Sequence, residues 1–282
     1  MQALIDQSTL CEKTKKIIAE MTNENEIENA TNGNFDDVMD IIGILRFTHA
    51  LKMTELYNQA VENIRHKLLV EKFDTIGFEY NVAKMRKIVP VKIWCDIFRT
   101  TEDINKLASF DKLWAFQTAH EIGCLWDKTT CESAAMHGGI NCLTYAHKHG
   151  CEWDEMTCTR AVENGYLRCL MYAHGNGCPL SEKICTLAAK HGHLYCLIYT
   201  HNNGCQWDET TCAQAAENGH LWCLKYAHEH GCSWDEQTCT LAAKNGHLGC
   251  LQYAHKHGCL LNEEIRTICH PNCIDYINRN FS

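Results

Sequence analysis

The chain has 282 residues, 45% of them hydrophobic, only 3 prolines, and a formal charge of −9. That is enough apolar material for one elongated array or two ordinary domains, with no Pro/Gly/Ser-rich linker between them. The acidic balance argues against sequence-independent binding to nucleic acid or an anionic membrane, which rests on clustered Lys and Arg displacing counterions.

The opening stretch MQALIDQSTLCEKTKK has no basic region followed by an apolar core, and no run of about 18 apolar residues occurs. The expectation is a soluble protein that is not secreted. Twenty cysteines would suit a secreted disulfide scaffold. Such scaffolds are small and poor in core, however, whereas these cysteines recur with a helical repeat. They read as reduced, buried thiols in a cytoplasmic or nuclear protein.

Residues 1–99 form the first predicted region and carry no repeat. The stretch from Phe35 to Leu68 is patterned as two helices broken near Leu51 and Lys52. It resembles the helical end of a BTB domain, although fewer residues precede it than such a domain needs. IVPVKIWCDIF, Ile88 to Phe98, resembles an F-box more faintly. The alternative is a plain helical platform covering the first repeat.

From about residue 100 onward the chain repeats every 27 residues. Cys124, Cys151, Cys178, Cys205, Cys232 and Cys259 keep this step, as do Cys131, Cys158, Cys185, Cys212 and Cys239. So do Cys142, Cys169, Cys196, Cys223 and Cys250, and the histidines His120, His147, His174, His201, His228 and His255. A fixed period of this size marks a solenoid.

In the clearest unit, Trp207 to Cys232, Asp208 is placed as an N-cap and Cys212, Ala215 and Ala216 follow at helical spacing. Gly219 supplies a left-handed stop. A second helix carries Leu221, Cys223, Leu224, Ala227 and His228 and ends at Gly231. Neither helix can bury its apolar face alone, so neighbouring units must share one core. Thr100–Trp126 keeps only part of the pattern and reads as an N-terminal cap, and Asn262–Ser282, with Pro271 inside it, as a C-terminal cap.

AAENGHLWCLKYAHEHGC, Ala215 to Cys232, resembles the ankyrin core AAxxGHLxVVxxLLxxGA, with Cys223 and Leu224 in place of the two valines. The unit is shorter than an ankyrin repeat, and TTCA at Thr210–Ala213 replaces the usual TPLH, so the resemblance implies helix pairs without the β-hairpin finger. Short repeats rich in Cys and Trp are also similar to those of proteins from large DNA viruses of amoebae, which implies a viral binding protein. The fold expected is an all-α solenoid of hairpin-less, ankyrin-like helix-turn-helix units over residues 100–282, behind an N-terminal helical region over 1–99.

Zinc is the first chemistry to weigh, since 18 of the 20 cysteines lie in the array. Structural zinc sites draw on close pairs such as CxxC, and the nearest approach is CHPNC at Cys269–Cys273. Equivalent cysteines of successive units fall about 9–10 Å apart, too far for a disulfide. The repeated histidine reads as a cap for carbonyls at the end of the second helix. His193, His220 and His247 read as fixing the turn between helices, and Trp126, Trp153, Trp207 and Trp234 as core. No catalytic residue, cofactor or metal is assigned, and an enzyme is not expected.

Function is expected where units differ, because fixed positions are consumed by packing. One slot holds Asn141, Arg168, Tyr195, Trp222 and Gly249; another holds Met136, Glu163, Lys190, Glu217 and Lys244. Arg168, Tyr195, Trp222, Glu163, Lys190, Glu217 and Lys244 are therefore the candidate partner-binding residues. Against this stand burial of the two aromatics under a neighbouring helix and a merely solvated charge ladder. The leading reading is a monomeric scaffold for a protein partner, a host protein if the chain is viral, with no role for nucleic acid or membrane. The alternatives are a ubiquitin-ligase adapter using residues 1–99 and a zinc- or thiol-based metalloprotein.

Overall fold

A computed structural model of the chain describes residues 100–280 and, ahead of them, Asn58, Val61, Glu62, Cys95, Ile97 and Phe98. The BTB-like and F-box-like readings thus fall on segments that lie, apart from those few positions, outside the described residues. Every regular element among the described residues is a helix. They divide into two compact units, one ending at Trp126 and the other beginning at Asp127.

In the first unit α1 (Thr101–Ser109) is followed by α2 (Leu113–Glu121). Thr100 and Asp103 cap α1 reciprocally: each side chain accepts from the other's backbone N–H, at 3.3 and 2.9 Å. Ile104, Leu107, Ala108, Ala115, Phe116 and Ala119 are fully buried.

The second unit is a stack of six helix pairs. They are α3 (Lys128–His137) with α4 (Ile140–Lys148), α5 (Glu155–Glu163) with α6 (Leu167–Gly175), and α7 (Ile184–Lys190) with α8 (Leu194–Asn202). Then come α9 (Glu209–Glu217) with α10 (Leu221–Glu229), α11 (Glu236–Lys244) with α12 (Leu248–Lys256), and α13 (Ile265–Ile268) with α14 (Pro271–Asn280).

Local rules make each pair. Asp208 accepts from the backbone N–H of Thr210 at 3.0 Å and so starts α9. Gly219, at φ +76°, ends it: the His220 N–H reaches the Ala215 carbonyl at 2.8 Å and the Gly219 N–H reaches Ala216 at 3.3 Å, a Schellman closure. The same closure recurs at Gly231, where the Cys232 N–H binds the Ala227 carbonyl at 2.9 Å.

First helices pack on first helices, α3 through α13, and second helices on second helices, α4 through α12. The contact faces are small. Cys212, Ala215, Ala216, Cys223, Leu224 and Ala227 of one pair are all buried, and their short side chains let the helices approach closely. The absence of strands among the described residues matches the hairpin-less unit expected from TTCA at Thr210–Ala213.

Candidate functional site

The fixed aromatic positions are joined across repeats. In the junction after α4, Trp153 stacks on His147 at 3.9 Å between ring centroids, and His147 Nδ1 lies 3.1 Å from the Tyr172 hydroxyl of the next pair. His201 and His228 repeat the arrangement with Trp207 and Tyr226, and with Trp234 and Tyr253. Two expectations are corrected here. The tryptophans are half-buried rather than core, because one face of each indole is spent on the imidazole. The histidine binds a tyrosine of the following pair instead of capping its own helix.

The GHL histidines also reach further than their own turn. His193 Nε2 lies 3.1 Å from the Glu163 carbonyl oxygen at the end of α5, one repeat back. The His193 ring covers Gly165, where a Cβ would stand 2.5 Å from Nδ1. These glycines therefore serve twice, supplying a left-handed turn and leaving room for the next repeat's ring.

The cysteines form pairs within repeats. Cys178 donates its thiol to the carbonyl of Asp154 at 3.0 Å, and Cys158 faces Cys178, its thiol 3.9 Å from that residue's carbonyl oxygen. The hydrogen bond to Cys178 and burial together hold the Cys158 thiol above its ordinary range. Burial alone pushes Cys196 and Cys250 up to about 11, and it is the main cause of Cys223 standing at about 12. Thiols held this way stay protonated at neutral pH, which is the unreactive form. The 20-residue pairing, Cys131 with Cys151 through Cys239 with Cys259, was legible as two interleaved ladders but not as contacts.

The CHPNC segment is engaged in other ways. Cys273 is buried, Cys269 donates to the Arg266 carbonyl at 3.8 Å, and the His270 Nδ1 accepts from the Asn272 N–H at 3.2 Å. Among the described residues no three His, Cys, Asp or Glu side chains are grouped as ligands.

The variable positions flank the turn between the two helices of each pair. Tyr195 and Trp222, second residues of α8 and α10, are 73% and 69% exposed. Lys225 lies over the Trp222 ring at 5.0 Å, a cation–π contact that leaves most of the indole in solvent. Arg168, Lys190 and Lys244 are exposed, and Glu163 and Glu217 are half-buried.

The alternating signs of the second slot do not make a cross-repeat ladder. Glu163 pairs with Arg160 of its own helix at 2.9 Å, and Glu217 accepts from Gln214 at 2.7 Å. Among the described residues an ion pair that does cross repeats joins Lys128 to Asp154 at 2.7 Å, which lowers the Asp154 carboxyl and raises the Lys128 ammonium.

The chain is similar in fold to the human ASB11 ankyrin repeat domain, with a TM-score of 0.55 and 16% identity over 64% of this chain and 97% of that one. At this identity the likeness is one of architecture: an all-helical, stacked ankyrin-type solenoid. The pentatricopeptide repeat protein PPR10 from maize aligns at TM-score 0.36 and 12% identity, covering 99% of this chain and 52% of that one. PPR10 in complex with an 18-nt psaJ RNA element aligns at 0.28 and 11%, so the chain spans about half the length of PPR10. No family model and no curated protein matches the sequence.

Proposed function

We propose that this chain is a protein-binding scaffold whose contact surface runs along the turn edge of the array and centres on Tyr195 and Trp222. The observation that carries the reading is the exposure of these two large aromatics at equivalent positions of adjacent repeats. Large aromatics left in solvent at neighbouring positions of a rigid scaffold are the side chains that dominate protein interfaces. Arg168, Glu163, Lys190, Glu217 and Lys244 flank them and would form a polar rim.

The partner proposed is a protein, bound by a monomer of this chain. The formal charge of −9 disfavours nucleic acid as the ligand. The likeness of the short repeats to those of large amoebal DNA viruses makes a host-cell protein the partner to seek, in the cytoplasm or nucleus.

The test uses a partner recovered by proximity labelling in the native cell. The double change Tyr195→Asn and Trp222→Asn should leave melting nearly unchanged, because Asn141, Arg168 and Gly249 fill the same slot elsewhere. Its affinity for the partner should fall by about 2 kcal/mol or more. Normal melting with undiminished binding would show that this surface is idle, and a melting point many degrees lower would show that the aromatics serve the fold.

A further inference from the structure

Among the described residues five helix thiols are hydrogen-bonded to the loop thiol 20 residues later, Cys131 to Cys151 through Cys239 to Cys259. In four of these pairs the loop thiol is buried and donates to the carbonyl of the aspartate that caps its partner's helix. Cys151 reaches Asp127, Cys178 Asp154, Cys232 Asp208 and Cys259 Asp235, at 3.0–3.2 Å. The pair of Cys185 and Cys205 is built differently. Ser181 stands at the aspartate's place, and the Cys205 thiol turns to the neighbouring Gln206 carbonyl at 3.3 Å. Cys205 is half-exposed and lines an open cleft with Pro179, Leu180 and Gln206.

Serine in place of aspartate changes the electrostatics too. At each of the four buried counterparts the capping carboxylate opposes the thiolate. At Cys205 the bond from the Cys185 thiol holds the group below the usual cysteine range, with burial as the opposing effect. The Cys185 sulfur in turn lies 3.2 Å from the Thr200 hydroxyl and 3.9 Å from the Cys205 carbonyl oxygen. Ala146, Ala173, Ala227 and Ala254 fill the slot of Thr200 in the other repeats. Cys185 therefore has beside it a hydroxyl that can donate to its sulfur once the thiol proton leaves.

We propose that Cys205 and Cys185 are a peroxide-sensitive dithiol, in which Cys205 meets the oxidant in the cleft and Cys185 resolves it to a disulfide. The Cys205 thiolate attacks one oxygen of hydrogen peroxide, so that an S–O bond forms, the O–O bond breaks, and hydroxide leaves with the thiol proton as water. The Cys185 sulfur then attacks the sulfenic sulfur of Cys205. An S–S bond forms, the S–O bond breaks, and the second hydroxide leaves as water with the Cys185 proton. Both thiols are oxidised, and the peroxide is reduced to water. The site stands apart from Tyr195 and Trp222 and does not depend on a partner there.

Two other places share part of this arrangement. The last helix pair also lacks the aspartate, with Asn262 in its slot, but Arg266 stands where the helix thiol would be. Cys95 and Cys124 line one cleft, yet the Cys124 thiol donates to the Phe98 carbonyl at 3.1 Å, and burial above all pushes it up to about 11.

The test treats the native full chain with dilute hydrogen peroxide, blocks the remaining thiols with iodoacetamide, and follows linked peptides by mass mapping. The Cys185–Cys205 link should form about tenfold faster than a link in any other pair. Cys185→Ser should lose the link and leave Cys205 as a sulfenic acid that dimedone captures. Ser181→Asp restores the residue that caps four equivalent helices, and it should slow oxidation of the pair by about tenfold. Equal rates in all five pairs, or a Cys95–Cys124 or Cys269–Cys273 link that forms first, would overturn the proposal. So would a Cys205 that dimedone fails to label in Cys185→Ser, or undiminished oxidation in Ser181→Asp.

Discussion

The Tyr172 hydroxyl lies 3.1 Å from Nδ1 of His147, a residue one repeat earlier whose ring also carries the stacked Trp153. The same bond joins His174 to Tyr199, His201 to Tyr226, His228 to Tyr253 and His255 to Tyr276, at 2.9–3.2 Å. Each link ties one helix pair to the next through half-buried groups. Changing Tyr172 to Phe keeps the ring and removes the hydroxyl, leaving the His147 nitrogen without that partner. The expected loss is about 1 kcal/mol in urea unfolding, and an unchanged midpoint would show that the bond contributes nothing.

Gly192 should resist substitution more strongly than a glycine in an ordinary helix stop. Its φ is +76°, and an added Cβ would collide with the imidazole of His220 in the next repeat. Gly192→Ala therefore combines backbone strain with displacement of a ring, for a loss on the order of 1–3 kcal/mol. Gly204, at φ +88° with no atom near its Cβ direction, is the control, and the same change there should cost less.

Thiol labelling should divide the cysteines by burial. Of the nineteen described, fifteen are buried, Cys95 is exposed, and Cys124, Cys205 and Cys269 are intermediate. A water-soluble maleimide on the native chain should therefore modify Cys95 first and those three next. The fifteen should react only as the repeats open. Rapid modification of the ladder cysteines, followed by peptide mass mapping, would contradict this.

Acid should weaken the array before its carboxylates titrate. Burial holds the imidazoles of His201 and His228 below the usual histidine range, and His230 and His257 beside them act in the same direction. Burial also lowers His220, against the opposing bond to the Lys190 carbonyl. In the unfolded chain these groups take protons at about pH 6.5. The unfolded state thus binds more protons as pH falls below that value, so stability is full above it and is lost as pH drops through the folded values. Melting followed from about pH 8 to about pH 5 should decline below the unfolded value. A flat profile would mean these rings are not held neutral by the fold.

The helix pairs were legible in the residues because local chemistry sets them. Asp208 caps, Gly219 turns, and Cys212, Ala215 and Ala216 recur at helical spacing, each acting within a few residues of itself. The stacking of pairs followed from the 27-residue period, since neither helix can bury a face alone. What the sequence could not supply was which side chains meet between repeats. Tyr172 finds His147 from 25 residues away, His193 covers Gly165 from 28, and Cys158 faces Cys178 from 20. Those distances are set by how far each pair is displaced and rotated on the one before it, and no single repeat records that geometry. For the same reason only the tertiary structure decided that Trp153 is half-buried on an imidazole while Trp222, an equal indole, stands in solvent. One lies in a junction that the next repeat closes, and the other projects from the turn edge, where neighbouring helices leave the second residue uncovered.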